Sequence, residues 1–347
     1  MSYTEFNDNK LATYYNGNEI SNSFKSMIHV VTIYKVQLPD KVWSLIKEFM
    51  IYGKDYCNLV TKLWSTNRPY SVLKGKFVYF PYIFNLKRIT KIIINETPLT
   101  DIEVISDILN TNSTITKLDL KNNQIKDITS LGNALKMNST LTSLCLQKNS
   151  ITDINSLADA LNTNSTITKL DLKNNQIKDI TSLGNALKTN SGLLTLMLDS
   201  NKLDEDDLSS LFQALAKNSK LTELSLRDNV IHDVENLGDA LYVNTALKIL
   251  SLSDNDIYDI EMLCYALSNN STLLELFLDN NHIDYIEDLT NIILNSNDTL
   301  EFLSLIDNYI SDDDAVELQE VWTDGYPRRN INDLKLYNQR IRLHTIR

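Results

Sequence analysis

The chain has 347 residues and a formal net charge of −12, with 33 Lys and Arg against 45 Asp and Glu. Such an acidic chain suits nucleic acid poorly, because that binding rests on cations neutralising phosphates. Hydrophobic residues make up 43%, but no apolar run reaches the roughly 18 residues of a membrane span, so no membrane partner is expected.

Residues 1–30, opening MSYTEFNDNKLATYYNGNEI, are polar and lack an apolar signal core; a flexible segment is expected. Residues 31–68 read as a small helical module. Leu38-Pro39-Asp40 signals a helix start, and Val42, Leu45, Ile46, Phe49 and Met50 follow at helical spacing. After a turn around Gly53, Tyr56, Leu59, Val60 and Leu63 form a second helical run that ends at Trp64. Residues 69–88 connect or cap. Within them the aromatic run Lys74–Leu86 is strand-like, and Pro81 confines it to an edge or turn. The charge is uneven: residues 1–88 hold 12 Lys and Arg against 6 Asp and Glu, and the remainder holds 21 against 39.

The stretch LPDKVWSLIKEFM…LVTKLW is similar to an F-box, in which Leu-Pro is followed by an apolar pair and a Val-Cys-x-x-Trp end. Val60 and Trp64 fit that pattern, whereas Thr61 stands where the family has Cys. The resemblance implies that Leu38, Pro39, Val42, Ile46 and Phe49 face the adaptor of a cullin-type ubiquitin ligase. The alternative is that these helices only cap the first unit of the array behind them.

From residue 89 the sequence repeats. A stretch of 28 residues, Leu109–Lys136, recurs letter for letter at Leu161–Lys188, 52 positions on. The segment between is a looser copy, so the unit is 26 residues. An LxLxxN pattern marks eight units, with leucine pairs and asparagines at Leu118/Leu120/Asn123, Leu144/Leu146/Asn149, Leu170/Leu172/Asn175, Leu196/Leu198/Asn201, Leu224/Leu226/Asn229, Leu250/Leu252/Asn255, Leu276/Leu278/Asn281 and Leu303/Leu305/Asn308. A degenerate ninth precedes them with Ile92, Ile94 and Thr97.

Within a unit, Leu118 and Leu120 alternate with polar residues and predict a short strand. Ile128, Leu131 and Leu135 predict a helix stripe. Asp127 is placed to cap that helix, and Asn138 sits where a left-handed stop is common. Gly132 and Gly184 weaken the helix unless a neighbour presses close. The asparagines after the leucines are expected to be buried and to bond the free backbone groups of adjacent turns. One unit cannot fold alone: roughly six apolar side chains at about 1.5–3 kcal/mol each do not offset about 1–2 kcal/mol per ordered residue, so stacking must bury both flanks.

LxLxxN with a following helix resembles the leucine-rich repeat, in its ribonuclease-inhibitor-like subtype. That resemblance implies an α/β solenoid, a horseshoe of about nine strand-helix repeats, over residues 89–347 with a C-terminal cap. It also implies strands on the concave side. A closing strand is expected through Leu334 and Leu336.

Polar strand positions point to the concave side. The second half of the array breaks that rule with Met197, Ile249, Phe277, Phe302 and Ile306, and these, with Arg227, form the candidate protein-binding site. The alternative is that the C-terminal segment Trp322–Arg347 folds back over the last strands.

Catalytic chemistry finds no footing. No phosphate-binding glycine loop occurs, and His29, His232, His282 and His344 lie far apart. Asp204–Asp207 and Asp312–Asp314 read as helix starts rather than metal ligands. Cys145 has only Asp119 and Asp171 beside it in its column, so its thiolate is not favoured. No cofactor, metal or enzyme activity is expected. Cys57, Cys145 and Cys264 are far apart and odd in number, which points to a reducing, cytoplasmic compartment. The function read from the sequence is a monomeric receptor for a protein partner, with two versions: the substrate arm of a ubiquitin ligase, or an effector or inhibitor that occupies a host protein.

Overall fold

In the computed structural model, the residues described are 72–74, 90–95, 102–323 and 331–336. All of them belong to the larger of two compact units, Ser71–Phe77 with Ile83–Arg347. Leu38, Pro39, Val42, Ile46, Phe49 and Trp64 lie outside the described residues.

Eleven parallel strands form one sheet in strict chain order: β1 Val72–Lys74, β2 Lys91–Ile93, β3 Lys117–Asp119, β4 Ser143–Cys145, β5 Lys169–Asp171, β6 Thr195–Met197, β7 Glu223–Ser225, β8 Ile249–Ser251, β9 Glu275–Phe277, β10 Phe302–Ser304 and β11 Leu334–Lys335. Nine helices alternate with them among the described residues: α1 Glu103–Thr111, α2 Thr129–Met137, α3 Asn155–Leu161, α4 Thr181–Leu187, α5 Glu205–Leu215, α6 Glu235–Val243, α7 Glu261–Asn269, α8 Glu287–Asn295 and α9 Asp312–Thr323.

The nine units expected from the sequence are β2 to β10. Two further strands extend them. β1 falls in the segment 69–88, and the strand-like run Lys74–Leu86 is described only at Lys74. At the other end Leu334 supplies the closing strand, pairing with Leu303. Register is column for column, with Leu118 opposite Leu144, Leu144 opposite Leu170, and so on. A slip of one residue would turn every leucine out of the core, so the pattern fixes the pairing. The paired leucines from Leu118 to Leu305 and the helix residues Leu131, Ala134 and Leu135 are all 1% exposed or less, and they form a seam between the strand and helix layers.

Asparagine chemistry closes the seam. Asn123 donates from Nδ2 to its own Leu120 carbonyl and to Ile94 O of the preceding unit, both at 2.8 Å. Its successors repeat this: Asn175 reaches Leu172 O at 2.9 Å and Leu146 O at 3.1 Å, and its Oδ1 accepts from Ile151 N–H at 3.1 Å. Asn123, Asn175 and Asn255 are buried, as the ladder requires.

A second ladder was not foreseen. Asn138 is not left-handed; its backbone is extended at φ −76°, ψ 125°. Its Nδ2 crosses to the helix-end carbonyl of the preceding unit, Leu109 O, at 2.9 Å, and its Oδ1 accepts from Leu141 N–H at 2.8 Å. Asn164, Asn190, Asn218, Asn244, Asn270 and Asn297 do the same to Leu135, Leu161, Leu187, Leu215, Leu241 and Leu267. Last-turn carbonyls have no partner within their own helix, and here the next unit supplies one. Left-handed backbone instead occurs just before the first ladder, at Asn122 (φ 57°), Lys148 (54°), Asn174 (55°), Ser200 (55°), Asp228 (54°), Asp254 (57°), Asn280 (53°) and Asp307 (59°). Asn and Asp tolerate that region best among side-chain-bearing residues.

Capping also differs in detail from expectation. The N-cap slot of α2 holds Ile128, which is 2% exposed and fills the core. Asp127 therefore acts from one residue earlier and accepts the first helical N–H, Thr129, at 2.8 Å. The Thr129 side chain, and after it this N–H, hold the Asp127 carboxyl below its usual range. The unit two residues longer than the rest spends its extra length on α5, where Asp204 and Asp207 form a reciprocal capping box. α9 likewise starts at Asp312. The helix glycines lie where neighbours press close. A Cβ on Gly132 would meet the Ser156 backbone at 2.5 Å, and one on Gly184 would meet the Ser210 backbone at 2.5 Å.

Asn175→Ala strips two carbonyls and one N–H of their partner, and a loss of about 3 kcal/mol is expected. Lys148→Asn relieves a left-handed lysine, and a gain of about 1 kcal/mol is expected. Urea melts of both variants beside the unaltered chain test the pair; an Asn175→Ala midpoint equal to the parent's would refute the ladder's energetic role.

Candidate protein-binding surface

The side of the sheet away from the leucines carries the strand positions that the sequence assigns to the concave surface. Phe277 on β9 and Phe302 on β10 come together there, ring centroids 5.0 Å apart and tilted by 36°. This geometry suits a favourable aromatic pair. Ile249 lies on β8, beside the strand that bears Phe277 and in register with Glu275. Ile306 follows β10, and its N–H bonds the Asp279 carboxylate at 2.9 Å. That carboxylate also accepts from the Ser304 and Ser253 hydroxyls. The apolar residues are half-buried rather than open.

Met197 stands apart, three strands from Phe277. Arg227 is exposed, but its guanidinium is engaged, with Nε 2.5 Å from Asp254 Oδ2. It belongs to a polar groove of about 490 Å³ lined by Lys173, Asp199, Arg227 and Asp254 among others. Within that groove Asp199 is 3.7 Å from Lys173 and accepts the Arg227 N–H at 3.2 Å. Burial pushes the Asp199 carboxyl up, against the Ser225 hydrogen bond and the Lys173 charge. The structure thus divides the six candidates into an aromatic-aliphatic patch over β8–β10, the ion-paired Arg227 and the separate Met197.

A ring stack on the helix side was not foreseen. Tyr242 on α6 and Tyr265 on α7 stack with centroids 4.9 Å apart, and Tyr265 is 52% exposed. Tyr265 occupies the outward helix position that Asn133, Asp159 and Asp239 hold in other units. Aligning the units by helix as well as by strand would have found it.

Trp322 is fully buried at the end of α9, and Leu334–Lys335 joins the sheet edge. Residues 337–347 lie outside those described.

Reactive groups are held back. Burial pushes the Cys145 thiol up to about 12, and Asp171 and Asp119 add to that shift. Cys264 is likewise raised to about 12, chiefly by burial and then by Asp288, Asp259 and Glu261. His232 and His282 stand in turns beside acids, His232 near Glu205 and Asp256, and His282 near Asp256. Among the described residues no group of His, Cys, Asp and Glu could hold a metal ion.

In a Cys57→Ala chain, native Cys145 and Cys264 should react with iodoacetamide at pH 8 about 100-fold or more slowly than after unfolding. The raised thiol pKa values make the linked stability complete below the unfolded value of 9.0. It is lost as pH rises from there towards 12. Equal labelling rates in both states would contradict the assignment.

Comparison with known proteins gives three matches to the family model described as Leucine Rich repeat, at residues 111–128, 163–180 and 217–234. Each match runs from a helix end through a strand and its ladder asparagine to Ile128, Ile180 or Val234. No curated protein matches the chain. Among solved structures, the chain is similar to an internalin (inlF) from Listeria monocytogenes str. 4b F2365. That match has 22% identity and a TM-score of 0.40, and it covers 70% of this chain and 81% of that one. It is also similar to an internalin C2 (inlC2) from the same strain, at 23% identity and a TM-score of 0.40, covering 76% and 84%. The three matched segments are therefore leucine-rich repeats.

Proposed function

We propose that the chain is a non-enzymatic protein-binding receptor whose partner docks on the strand face over β8–β10. The observation that carries this reading is the Phe277–Phe302 pair, set on a face where β3, β5 and β7 carry Lys, Asp, Glu or Ser. Aromatic anchors in the middle of a polar surround dominate binding energy at protein interfaces. In this reading the face is the concave side of a ribonuclease-inhibitor-like repeat domain, supported by a helix in every unit. A reducing, cytoplasmic setting fits two free, unpaired thiols.

A photo-crosslinker placed at Ser251 should capture a protein from cells that express the chain. Capture should fall at least tenfold in a Phe277→Ala/Phe302→Ala chain whose melting temperature shows it folded. Capture unaffected by that double substitution, or obtained only from a crosslinker at Asn133 on the helix side, would refute the site.

The ligase version rests on the sequence of the N-terminal module, where Leu38, Pro39, Val42, Ile46 and Phe49 would meet a ligase adaptor. Full-length chain should then retain the adaptor in a pull-down and lose it on Leu38→Ala/Phe49→Ala. No retention by the folded chain leaves the effector or inhibitor reading, with those helices acting only as a cap.

A further inference from the structure

The first column of the strand face reads Thr195, Glu223, Ile249, Glu275, Phe302 from β6 to β10. Carboxylate and apolar side chains alternate on successive strands. Glu223 accepts a hydrogen bond from Thr195 Oγ1 at 3.0 Å, and neither it nor Glu275 pairs with a cation among the described residues. Arg227 holds Asp254, and Lys335 on β11 donates to Asn332 O. Beside the column, the middle positions over β7 and β8, between Met197 and Phe277, are the small residues Ser225 and Ser251.

Strand spacing makes this alternation a ruler. Neighbouring strands lie about 4.8 Å apart, so the two glutamates stand roughly 9.6 Å apart, with Ile249 midway and Phe302 one step beyond. An α-helix lying across the strands offers same-face side chains at i, i+3 or i+4, i+7, and i+10 or i+11. These fall at about 0, 5, 10.5 and 16 Å along its axis. An extended segment repeats its face every 6.8 Å or so and falls out of step after one residue pair. The helix tracks both glutamates and both apolar residues.

From this alternation we infer that the occupant of the strand face is a basic amphipathic helix of the partner protein. It runs across β7–β10 with Lys or Arg at i and i+7 against Glu223 and Glu275, and apolar side chains near i+4 and i+11 against Ile249 and the Phe277–Phe302 pair. The inference rests on the strand face being the docking surface and adds the chemistry of what docks. The two carboxylates contribute sign selectivity and a salt-dependent association rate, and the aromatic pair contributes the anchor.

Three labelled synthetic peptides of one length test it against the full chain by fluorescence anisotropy. The first is helical with Lys at i and i+7 and Leu at i+4 and i+11, the second keeps that composition with the phase broken, and the third replaces Lys by Glu. The first should bind at least about tenfold tighter than the other two and should weaken as salt is raised. Glu223→Gln/Glu275→Gln should remove the preference for Lys over Glu, and Phe277→Ala/Phe302→Ala should remove binding. Equal binding of the phase-broken or the acidic peptide, still lost on Phe277→Ala/Phe302→Ala, would overturn the basic helix and leave the docking surface standing. No binding of the first peptide by the folded chain overturns the inference outright, while the crosslinking capture decides the docking surface separately.

Discussion

Each turn of this array leaves backbone groups that it cannot satisfy by itself, and two columns of asparagine amides satisfy them across the joints. The first column, Asn123 to Asn308, takes carbonyls at the strand exits at 2.8–3.3 Å. The second takes the last-turn helix carbonyls at 2.6–2.9 Å. Both lie in the low-dielectric seam between layers, where an orphaned carbonyl is expensive. Leucine burial drives the turns together without regard to direction; the amides fix how far each turn is rotated and shifted on the last. The strand columns stay in line because of that alignment, and the face built from them inherits its regular spacing.

The first ladder, the register and the helix glycines were legible because each has a signature within one unit. LxLxxN gives the strand, and the glycines sit at one recurrent helix position. The second ladder was not legible because an asparagine just past a helix already has an ordinary local reading, although its bonds reach back 29 to 31 positions as the first ladder's do. Asn138 looked like a helix stop because short-range statistics for asparagine describe its backbone, whereas here its side chain does the work. The Asn122-Asn123 pair hid the left-handed position for a related reason: one residue bends the chain and the other is buried, and the two are identical. Lys148-Asn149 and Ser200-Asn201 separate the roles, since the asparagine persists while its predecessor varies.

The candidate surface was legible column by column but not pair by pair. Alternation along three-residue strands gave the face, and departures from polarity marked Phe277 and Phe302. That Arg227 would be held by Asp254, and Asp199 by Lys173 and a backbone N–H, depends on side-chain reach between units, which a column listing does not contain. The Tyr242–Tyr265 stack escaped because it joins two helices at positions the strand alignment does not compare.

The joints from β3 to β10 are chemically interchangeable, since each presents the same amide donors to the same leucine carbonyls. A gene segment encoding whole turns can therefore be copied or deleted while every bond across the new junction re-forms. The identical stretches Leu109–Lys136 and Leu161–Lys188, offset by two turns, are the kind of footprint such recombination leaves. Their strand faces repeat one Lys-Leu-Asp pattern, whereas the later turns have diverged into glutamate, isoleucine and phenylalanine. Length and specificity are thus separate hereditary variables in this molecule: one changes by duplication at the seams, the other by point substitution on the open face.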